Sequence, residues 1–287
     1  MEKLIIKAVI SNDLSYPQVA TCQHMSVAQI AKEAKAAYDE GASVVHFHEP
    51  WSRGKAMGIP GCKEAAAAIR AVCPVLIEGH TVEEYQNGIP ELMVIQPGVI
   101  DHTEPDEKTG YYKDEDMDRK PFMRTRREVM NVCIGYREKG VKPRLESFGV
   151  PNVFRNIMWL IYKKAVDPPY LLTWNFGMGG IVGDAATPEF LHQRMAACPE
   201  AIKKDVVAEV SVYNSGAPRL ILHTLAIAEG LHIRVGCEDN PYYWEKQVAK
   251  GNGELVARVA RIAKEYHRDI ATPEDARRIY KLPKARK

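Results

Sequence analysis

The sequence lacks the long apolar runs, paired cysteines and charge excess that mark several protein classes. No apolar stretch approaches the roughly 20 residues that span a bilayer, and Lys7 interrupts the first apolar run, unlike the apolar core of a signal peptide. The six cysteines form no C-x-x-C pair, which suits a reducing compartment better than a disulfide framework. The formal charge is +2, so composition offers no electrostatic argument for nucleic acid. We therefore expect a cytoplasmic protein without membrane or nucleic-acid partners.

The chain of 287 residues instead contains eight apolar, β-branched runs of strand length. Helical patterns separate most of these runs, and this alternation predicts parallel strands joined by right-handed crossovers. Eight strands in a chain of this length predict an α/β fold, a single (β/α)8 TIM barrel. Because no low-complexity linker divides the chain, we expect one barrel domain over 1–287, with helices at its C-terminal end. The predicted strands are 4–10, 43–47, 75–79, 92–96, 143–147, 170–176, 206–212 and 232–236.

Helix starts are marked by capping residues. Ser26 and Gln29 have the spacing of a capping box, and the Thr-Pro pairs at Thr187 and Thr272 each supply an N-cap followed by proline in the first turn. The segment 79–91 is too short for a long helix, which leaves a doubly wound open sheet as an alternative. Neither a Walker loop nor G-x-G-x-x-G follows the first strand, and this argues against that alternative. The polar segment 101–120 is interpreted as a lid or an oligomer contact.

The stretch "VVHFHEP" ends a predicted strand in two histidines one residue apart. Side chains alternate along a strand, so His46 and His48 should project side by side. In a barrel of this type, chemistry lies at the C-terminal ends of the strands. Two histidines and one glutamate with an open fourth position form a known catalytic zinc set. The third ligand must come from another strand, and Glu238 or Asp239 is the best-placed candidate.

Four motifs together resemble one family. In order along the chain they are "VVHFHEP", "LESFG", "NFGMGG" and "IRVGCEDNPYY", and their order and spacing are similar to those of the β-keto acid cleavage enzymes. The similarity runs over essentially the whole chain. It implies a zinc-dependent (β/α)8 barrel, usually a homotetramer. Such enzymes transfer an acyl group from a β-keto acid to coenzyme A, consuming acetyl-CoA and releasing acetoacetate.

The resemblance also implies roles for individual residues. It assigns zinc to His46, His48 and Glu238, removal of the α-proton to Glu146 with Arg234, and a substrate-facing carboxylate to Asp239.

Two further positions are predicted to bind substrate. Asp13 lies near the family's acidic residue after strand 1, and Thr81 lies in a turn where relatives carry Thr/Ser-Gly-Gly. In that turn His80 is interpreted as a polar turn residue rather than a ligand. Because the turn departs from the family pattern, the substrate should differ from that of the typical member.

Two other functions fit parts of the pattern. A zinc hydrolase of the amidohydrolase type also begins from H-x-H on an early strand, but it needs further histidines on strands 5 and 6. The sequence has Glu146 and Asn175 there, which argues against that class. A non-catalytic metal-binding barrel is the second alternative, and α-proton exchange in a β-keto acid distinguishes it from an enzyme.

Overall fold

Eight parallel strands close into a barrel in the computed structural model, which describes residues 1–11, 23–98, 124–149, 152–178 and 184–283. The order around the barrel is β1, β10, β9, β8, β7, β6, β5 and β2, and two short hairpins, β3–β4 and β11–β12, lie outside it. The barrel strands are β1 (Ile6–Val9), β2 (Val44–His46), β5 (Leu76–Gly79), β6 (Leu92–Ile95), β7 (Lys142–Ser147), β8 (Tyr170–Phe176), β9 (Val206–Val212) and β10 (His232–Val235). The hairpin strands are β3 (Trp51–Ser52), β4 (Lys55–Ala56), β11 (Tyr242–Trp244) and β12 (Gln247–Val248).

Helices surround this barrel. They are α1 (Val27–Asp39), α2 (Gly58–Val72), α3 (Val82–Gln86), α4 (Arg126–Glu138), α5 (Asn152–Tyr162), α6 (Pro188–Ala197), α7 (Glu200–Lys203), α8 (Ala217–Ala228), α9 (Asn252–Glu265) and α10 (Pro273–Ile279). None of those in the described ranges combines the length and apolar character needed to cross a bilayer.

The predicted (β/α)8 barrel is confirmed, and each of the eight predicted strands contains or overlaps an observed one. The short connection at 79–91 holds only the five-residue helix α3, so the barrel closes there without a full-length helix. The capping box at Ser26 is present, and an equivalent box at Thr272 starts α10. Thr187 precedes α6 as predicted but makes no side-chain cap bond. The predicted lid or oligomer contact at 101–120 lies outside the described residues, and the single domain over 1–287 stays a prediction.

The barrel interior is layered. At the N-terminal ends of the strands an apolar layer includes Ile5, Val44 and Leu171, and Tyr280 beyond α10 packs against it. Above this layer the interior becomes charged, because alternate residues of the strands point inward and the next inward positions carry ionisable side chains. This apolar layer therefore separates the charged interior from solvent at the N-terminal end of the barrel.

The charged layer consists of two cations and two carboxylates. Lys7 contacts Glu78 and lies 2.5 Å from Glu209 Oε1. Arg144 Nε lies 2.7 Å from Glu78 Oε2, and its Nη1 lies 3.3 Å from Glu209 Oε2. All four side chains are buried. Burial opposes ionisation of both glutamates, but the two cations outweigh it and lower the pKa of Glu78 and of Glu209. The layer is thus a neutral, mutually paired set.

We predict that Lys7→Met strongly destabilises the protein, by about 3–5 kcal/mol, because it leaves one buried carboxylate uncompensated. Lys7→Met combined with Glu209→Gln should recover much of this loss, since charge balance is restored. The measurement is urea unfolding followed by circular dichroism. Lys35→Met is the control: Lys35 forms an exposed ion pair with Asp39, and its unfolding midpoint should match the wild type. An unchanged unfolding midpoint for Lys7→Met would show that the pairing of Lys7 with the two glutamates does not contribute to stability.

Candidate active site and metal centre

Two histidines from β2 stand at the C-terminal mouth of the barrel. His46 is the last residue of β2 and is buried, and His48 follows two residues later. Their ring centroids are 5.3 Å apart and the rings are nearly perpendicular. The predicted projection of both side chains into one cluster is therefore observed.

The position of the proton on His46 follows from its neighbour. His46 Nδ1 lies 2.9 Å from the carbonyl oxygen of Glu78, which can only accept a hydrogen bond. Burial first, and then nearby cations and imidazoles, hold the pKa of His46 well below its usual value, so the ring is neutral. Nδ1 therefore carries the single proton, and Nε2 presents a lone pair. A histidine oriented in this way is ready to bind a metal ion through Nε2.

Glu238 reaches the same point from the loop after β10. Its Oε2 lies 3.4 Å from His46 Nε2, and its Oε1 lies 3.5 Å from His48 Nε2. Burial opposes ionisation of Glu238, but its charged neighbours, Arg234 first, keep the pKa well below the usual value. An ionised oxygen thus faces an imidazole lone pair, and Oε2 accepts no hydrogen bond from any described residue. Two acceptors facing each other in a buried position fit a bound cation.

Glycine at position 236 makes this placement of Glu238 possible. A Cβ at Gly236 would lie 2.1 Å from the carbonyl oxygen of Val9, so a larger residue cannot approach β1 there. The close approach lets the backbone N–H of Glu238 donate to that same oxygen at 3.2 Å. The backbone of β1 therefore fixes the glutamate beside the β2 histidines.

A third imidazole joins this group. Ligand atoms of His46, His48 and His80 all lie within 4.8 Å of one another. The His80 ring stacks on His48 with centroids 4.4 Å apart, and its Nδ1 is buried without a hydrogen-bond partner in the described ranges. Burial, followed by repulsion from His48, lowers the pKa of His80. His80, interpreted from sequence as a turn residue, is thus a member of the histidine cluster, and its imidazole is a further candidate ligand.

Arg234 connects this cluster to two more carboxylates. From β10 its Nη2 donates to Glu238 Oε1 at 2.7 Å and to Asp239 Oδ1 at 2.8 Å, and its Nη1 donates to Glu146 Oε1 at 3.0 Å. Its Nε donates to Asp239 as well, at 3.0 and 3.1 Å. One buried guanidinium therefore holds together three acidic residues, from β7 and from the loop after β10.

A protein-family model that matches nearly the whole chain includes all of these histidines, carboxylates and the arginine. The family model for the beta-keto acid cleavage enzymes matches residues 3–282. The chain belongs to the β-keto acid cleavage enzyme family. The prediction that the chain is an enzyme of this family is confirmed. Membership of this family argues against the amidohydrolase alternative.

Curated relatives of this family member cover almost all of both chains. A 3-keto-5-aminohexanoate cleavage enzyme from Acetoanaerobium sticklandii is 32% identical over 99% of this chain and 100% of its own. A protein of the same name from Fusobacterium nucleatum has the same identity and coverage. A 3,5-dioxohexanoate:acetyl-CoA acetone transferase from Paraburkholderia graminis is 23% identical over 98% of this chain and 96% of its own.

A solved structure supports the fold of this β-keto acid cleavage enzyme. ObcA, in a ternary complex with a C4-CoA adduct and oxalate, aligns with a TM-score of 0.64 at 14% identity. The alignment covers 90% of this chain and 67% of ObcA. At this identity the likeness supports the barrel and not the reaction.

The surroundings of Glu146 shift its pKa in opposite directions. It is buried, its Oε1 accepts from Arg234, and its Oε2 accepts from Gln96 Nε2 at 3.0 Å. Burial raises the pKa of Glu146, and Arg234 and Gln96 only partly offset that effect. A carboxylate whose pKa is raised in this way is a stronger base once it is ionised.

Asp239 has a similar but separate environment. Burial is the largest influence on it and raises the pKa of Asp239, while Arg234 opposes this effect. Ser211 Oγ donates to Asp239 Oδ2 at 2.7 Å, and Arg234 donates to Oδ1, so both carboxylate oxygens accept hydrogen bonds.

The two predicted substrate-binding residues have different outcomes. Thr81 lies in the turn before α3, where its Oγ1 accepts from the backbone N–H of Glu84 at 3.3 Å. Glu84 Oε2 in turn accepts from the backbone N–H groups of His80 and Thr81, at 2.7 and 2.9 Å. This reciprocal bonding starts the helix and fixes the His80 turn. Asp13 lies outside the described residues, and substrate binding by either residue stays a prediction.

We predict that the purified protein binds about one divalent ion per chain, and that His46→Ala and His48→Ala lose most of it while retaining the fold. Glu238→Gln should also weaken metal binding, because an amide has no net charge to offer the ion. The measurement is metal content by mass spectrometry after dialysis against a weak chelator. His192→Ala is the control, because His192 is exposed on α6. Full metal content in all three site variants would show that the ion lies elsewhere.

Proposed function

We propose that this protein is a zinc-dependent β-keto acid cleavage enzyme that condenses a β-keto acid with acetyl-CoA and releases acetoacetate and a new acyl-CoA. One observation carries the proposal: the ionised Oε2 of Glu238 faces the lone pair of His46 Nε2 at 3.4 Å, while Arg234 connects Glu238 to the buried Glu146. A cation-binding group and a carboxylate base thus share one guanidinium.

His46, His48 and Glu238 would hold the ion, with His80 close enough to contribute a fourth nitrogen. Imidazole nitrogens with one carboxylate are ligands that suit zinc. When bound, such an ion polarises the oxygens of a β-keto acid and makes its α-proton more acidic. Burial lowers the pKa of His46 and of His80, which favours the neutral rings whose lone pairs can bind an ion.

Glu146 is the base in this proposal. It takes a proton from the α-carbon, which lies between two carbonyl groups. Arg234 donates hydrogen bonds to Glu146 and to the neighbouring carboxylates, and so stabilises their negative charge. The α-carbanion attacks the thioester carbon of acetyl-CoA, a C–C bond forms, and coenzyme A thiolate leaves. The thiolate then adds to the original 3-oxo carbon, and the bond between that carbon and the α-carbon breaks. Acyl-CoA departs, and the acetoacetate carbanion recovers the proton from Glu146.

The names of the relatives support the acetyl-CoA dependence. One acts as an acetyl-CoA acetone transferase, and a 3-oxoadipate:acetyl-CoA acetyltransferase from Cupriavidus necator is 35% identical over 50% of this chain and 48% of its own. Asp239 faces the substrate in this proposal, and Asp13 and Thr81 bind it. A homotetramer in the cytoplasm is the assembly and location we propose. Because the turn that holds His80 and Thr81 departs from the Thr/Ser-Gly-Gly pattern of relatives, we expect a keto acid different from that of the typical member.

Glu146→Gln should lose about 10²–10⁴-fold in turnover, the usual value of general base catalysis, while still binding zinc. It should also stop solvent deuterium from entering the α-carbon of acetoacetate, a product that every reaction of this class shares. Nuclear magnetic resonance follows this exchange without acyl-CoA, against an enzyme-free blank. Glu128→Gln is the control, since Glu128 is exposed in the capping box of α4, where its carboxylate bonds to Thr125. If Glu146→Gln exchanged α-protons at the wild-type rate, another residue would be the base.

The acyl transfer itself is tested by a screen. β-Keto acids with varied 3-acyl groups are incubated with acetyl-CoA and zinc, and products are identified by mass spectrometry. We expect at least one keto acid to yield its acyl-CoA together with acetoacetate in equal amounts. Exchange of α-protons without any acyl-CoA product would retain the metal and base but contradict the transfer. No exchange and no product would favour the non-catalytic barrel.

A further inference from the structure

Asn175 occupies the barrel mouth directly across from the histidines. On β8, Leu171 belongs to the apolar layer and Thr173 Oγ1 donates to Glu209 in the charged layer at 2.6 Å. Because alternate residues of a strand point the same way, Asn175 is the next inward side chain toward the mouth. In the closed barrel β8 lies four strands from β2 in either direction. A substrate held between Glu146 and the histidines would therefore have Asn175 facing it.

The side chain of Asn175 is buried and is unpaired within the part of the chain that the structure describes. It is 1% exposed, and neither Oδ1 nor Nδ2 makes a hydrogen bond within the described ranges. Leaving both ends of a buried amide unpaired is costly, and it is rare in folded proteins. The residue beside it on β9, Ser211, already donates to Asp239. Among the described residues, Asn175 is thus an unpaired neutral donor beside a serine hydroxyl that is already bonded.

The proposed reaction needs one donor that the residues discussed so far do not provide. When the α-carbanion attacks the thioester carbon, the carbonyl electron pair moves to oxygen and an alkoxide forms. It returns to a carbonyl when thiolate leaves. Arg234 is committed to three carboxylates, and the metal ligands lie on the β2 side. Preorganised amide donors aimed at such an oxygen contribute strongly to catalysis.

We propose that Asn175 donates Nδ2–H to the thioester carbonyl oxygen and stabilises the alkoxide. This inference rests on the proposed acyl transfer, and it adds a catalytic group that binds the thioester rather than the keto acid. The height of Asn175 agrees with this role. Glu146 is level with Thr173 across the β7–β8 pair, so Asn175 lies two residues, or roughly 6–7 Å along the strand, closer to the mouth. The base reaches the α-carbon from below, and the amide reaches the oxygen that forms above it.

The test separates the two half-reactions with probes that require no knowledge of the natural keto acid. The first assay is deuterium entry into the α-carbon of acetoacetate without thioester. The second is transfer of a ¹³C-labelled acetyl group from acetyl-CoA into acetoacetate. In Asn175→Leu, which keeps the shape but not the hydrogen bonds, deuterium entry should stay within about threefold of wild type. Label transfer should fall by about 10²–10³-fold, the usual loss for one oxyanion donor. Asn175→Ala, which also removes the amide donor, should show the same split and serves if the leucine variant folds poorly.

Thermal unfolding gives an independent readout. Removing an unpaired buried amide should leave the melting temperature of Asn175→Leu unchanged or raise it. Asn252→Leu is the matched control, because the Asn252 amide is buried but fully bonded: its Oδ1 accepts from Cys237 N–H at 2.9 Å and its Nδ2 donates to Glu33 at 2.9 Å. That variant should melt lower.

Four results would overturn the inference. An equal loss of deuterium entry and of label transfer in Asn175→Leu would show that the amide binds the keto acid rather than the thioester. Full label transfer would show that it has no role in the reaction, and a marked loss of melting temperature would make it a structural residue. Failure of the wild type to exchange deuterium would overturn the proposed function itself, and this inference with it.

Discussion

The guanidinium of Arg234 is the contact on which the whole mouth of the barrel depends. It is buried, and it binds Glu146, Glu238 and Asp239 at once. Without it, three acidic side chains would repel one another in a medium that stabilises no isolated charge. Its planar set of donors fixes all three in direction as well as in distance. The proposed metal ligand Glu238, the proposed base Glu146 and Asp239 are therefore parts of one hydrogen-bonded unit.

The two charged levels of the barrel differ in balance, and that difference distinguishes support from function. In the lower layer, Lys7 and Arg144 pair with Glu78 and Glu209, and no net charge is left over. In the mouth, three carboxylates share one guanidinium, while burial lowers the pKa of His46 and of His80 and so disfavours positive charge on these rings. A divalent cation would restore the balance there. Glu78 connects the levels, because its carboxylate belongs to the lower layer while its carbonyl oxygen orients His46.

Sequence reasoning was most successful where one strand determined the outcome. Alternation along a strand predicted that His46 and His48 project together, and the rule that strand ends carry chemistry predicted where Glu146, Arg234 and Glu238 converge. It was weaker where the outcome depends on the alignment between strands. From the sequence, His80 is interpreted as a turn residue and Asn175 receives no role in the site. The same strand-end rule could have found His80, whereas the unpaired amide of Asn175 follows from three-dimensional contacts, such as the bond that its neighbour Ser211 makes to Asp239.

The most direct test of this account is the zinc dependence of deuterium exchange into acetoacetate in Arg234→Lys. One titration gives both the zinc concentration for half-maximal rate and the rate at saturation. A lysine ammonium cannot contact three carboxylates in the same fixed geometry. The account predicts that both quantities are impaired, with weaker zinc binding and a saturated rate lower by at least tenfold, in a protein with wild-type circular dichroism. Wild-type values for both would contradict the claim that this arginine joins metal binding to proton removal.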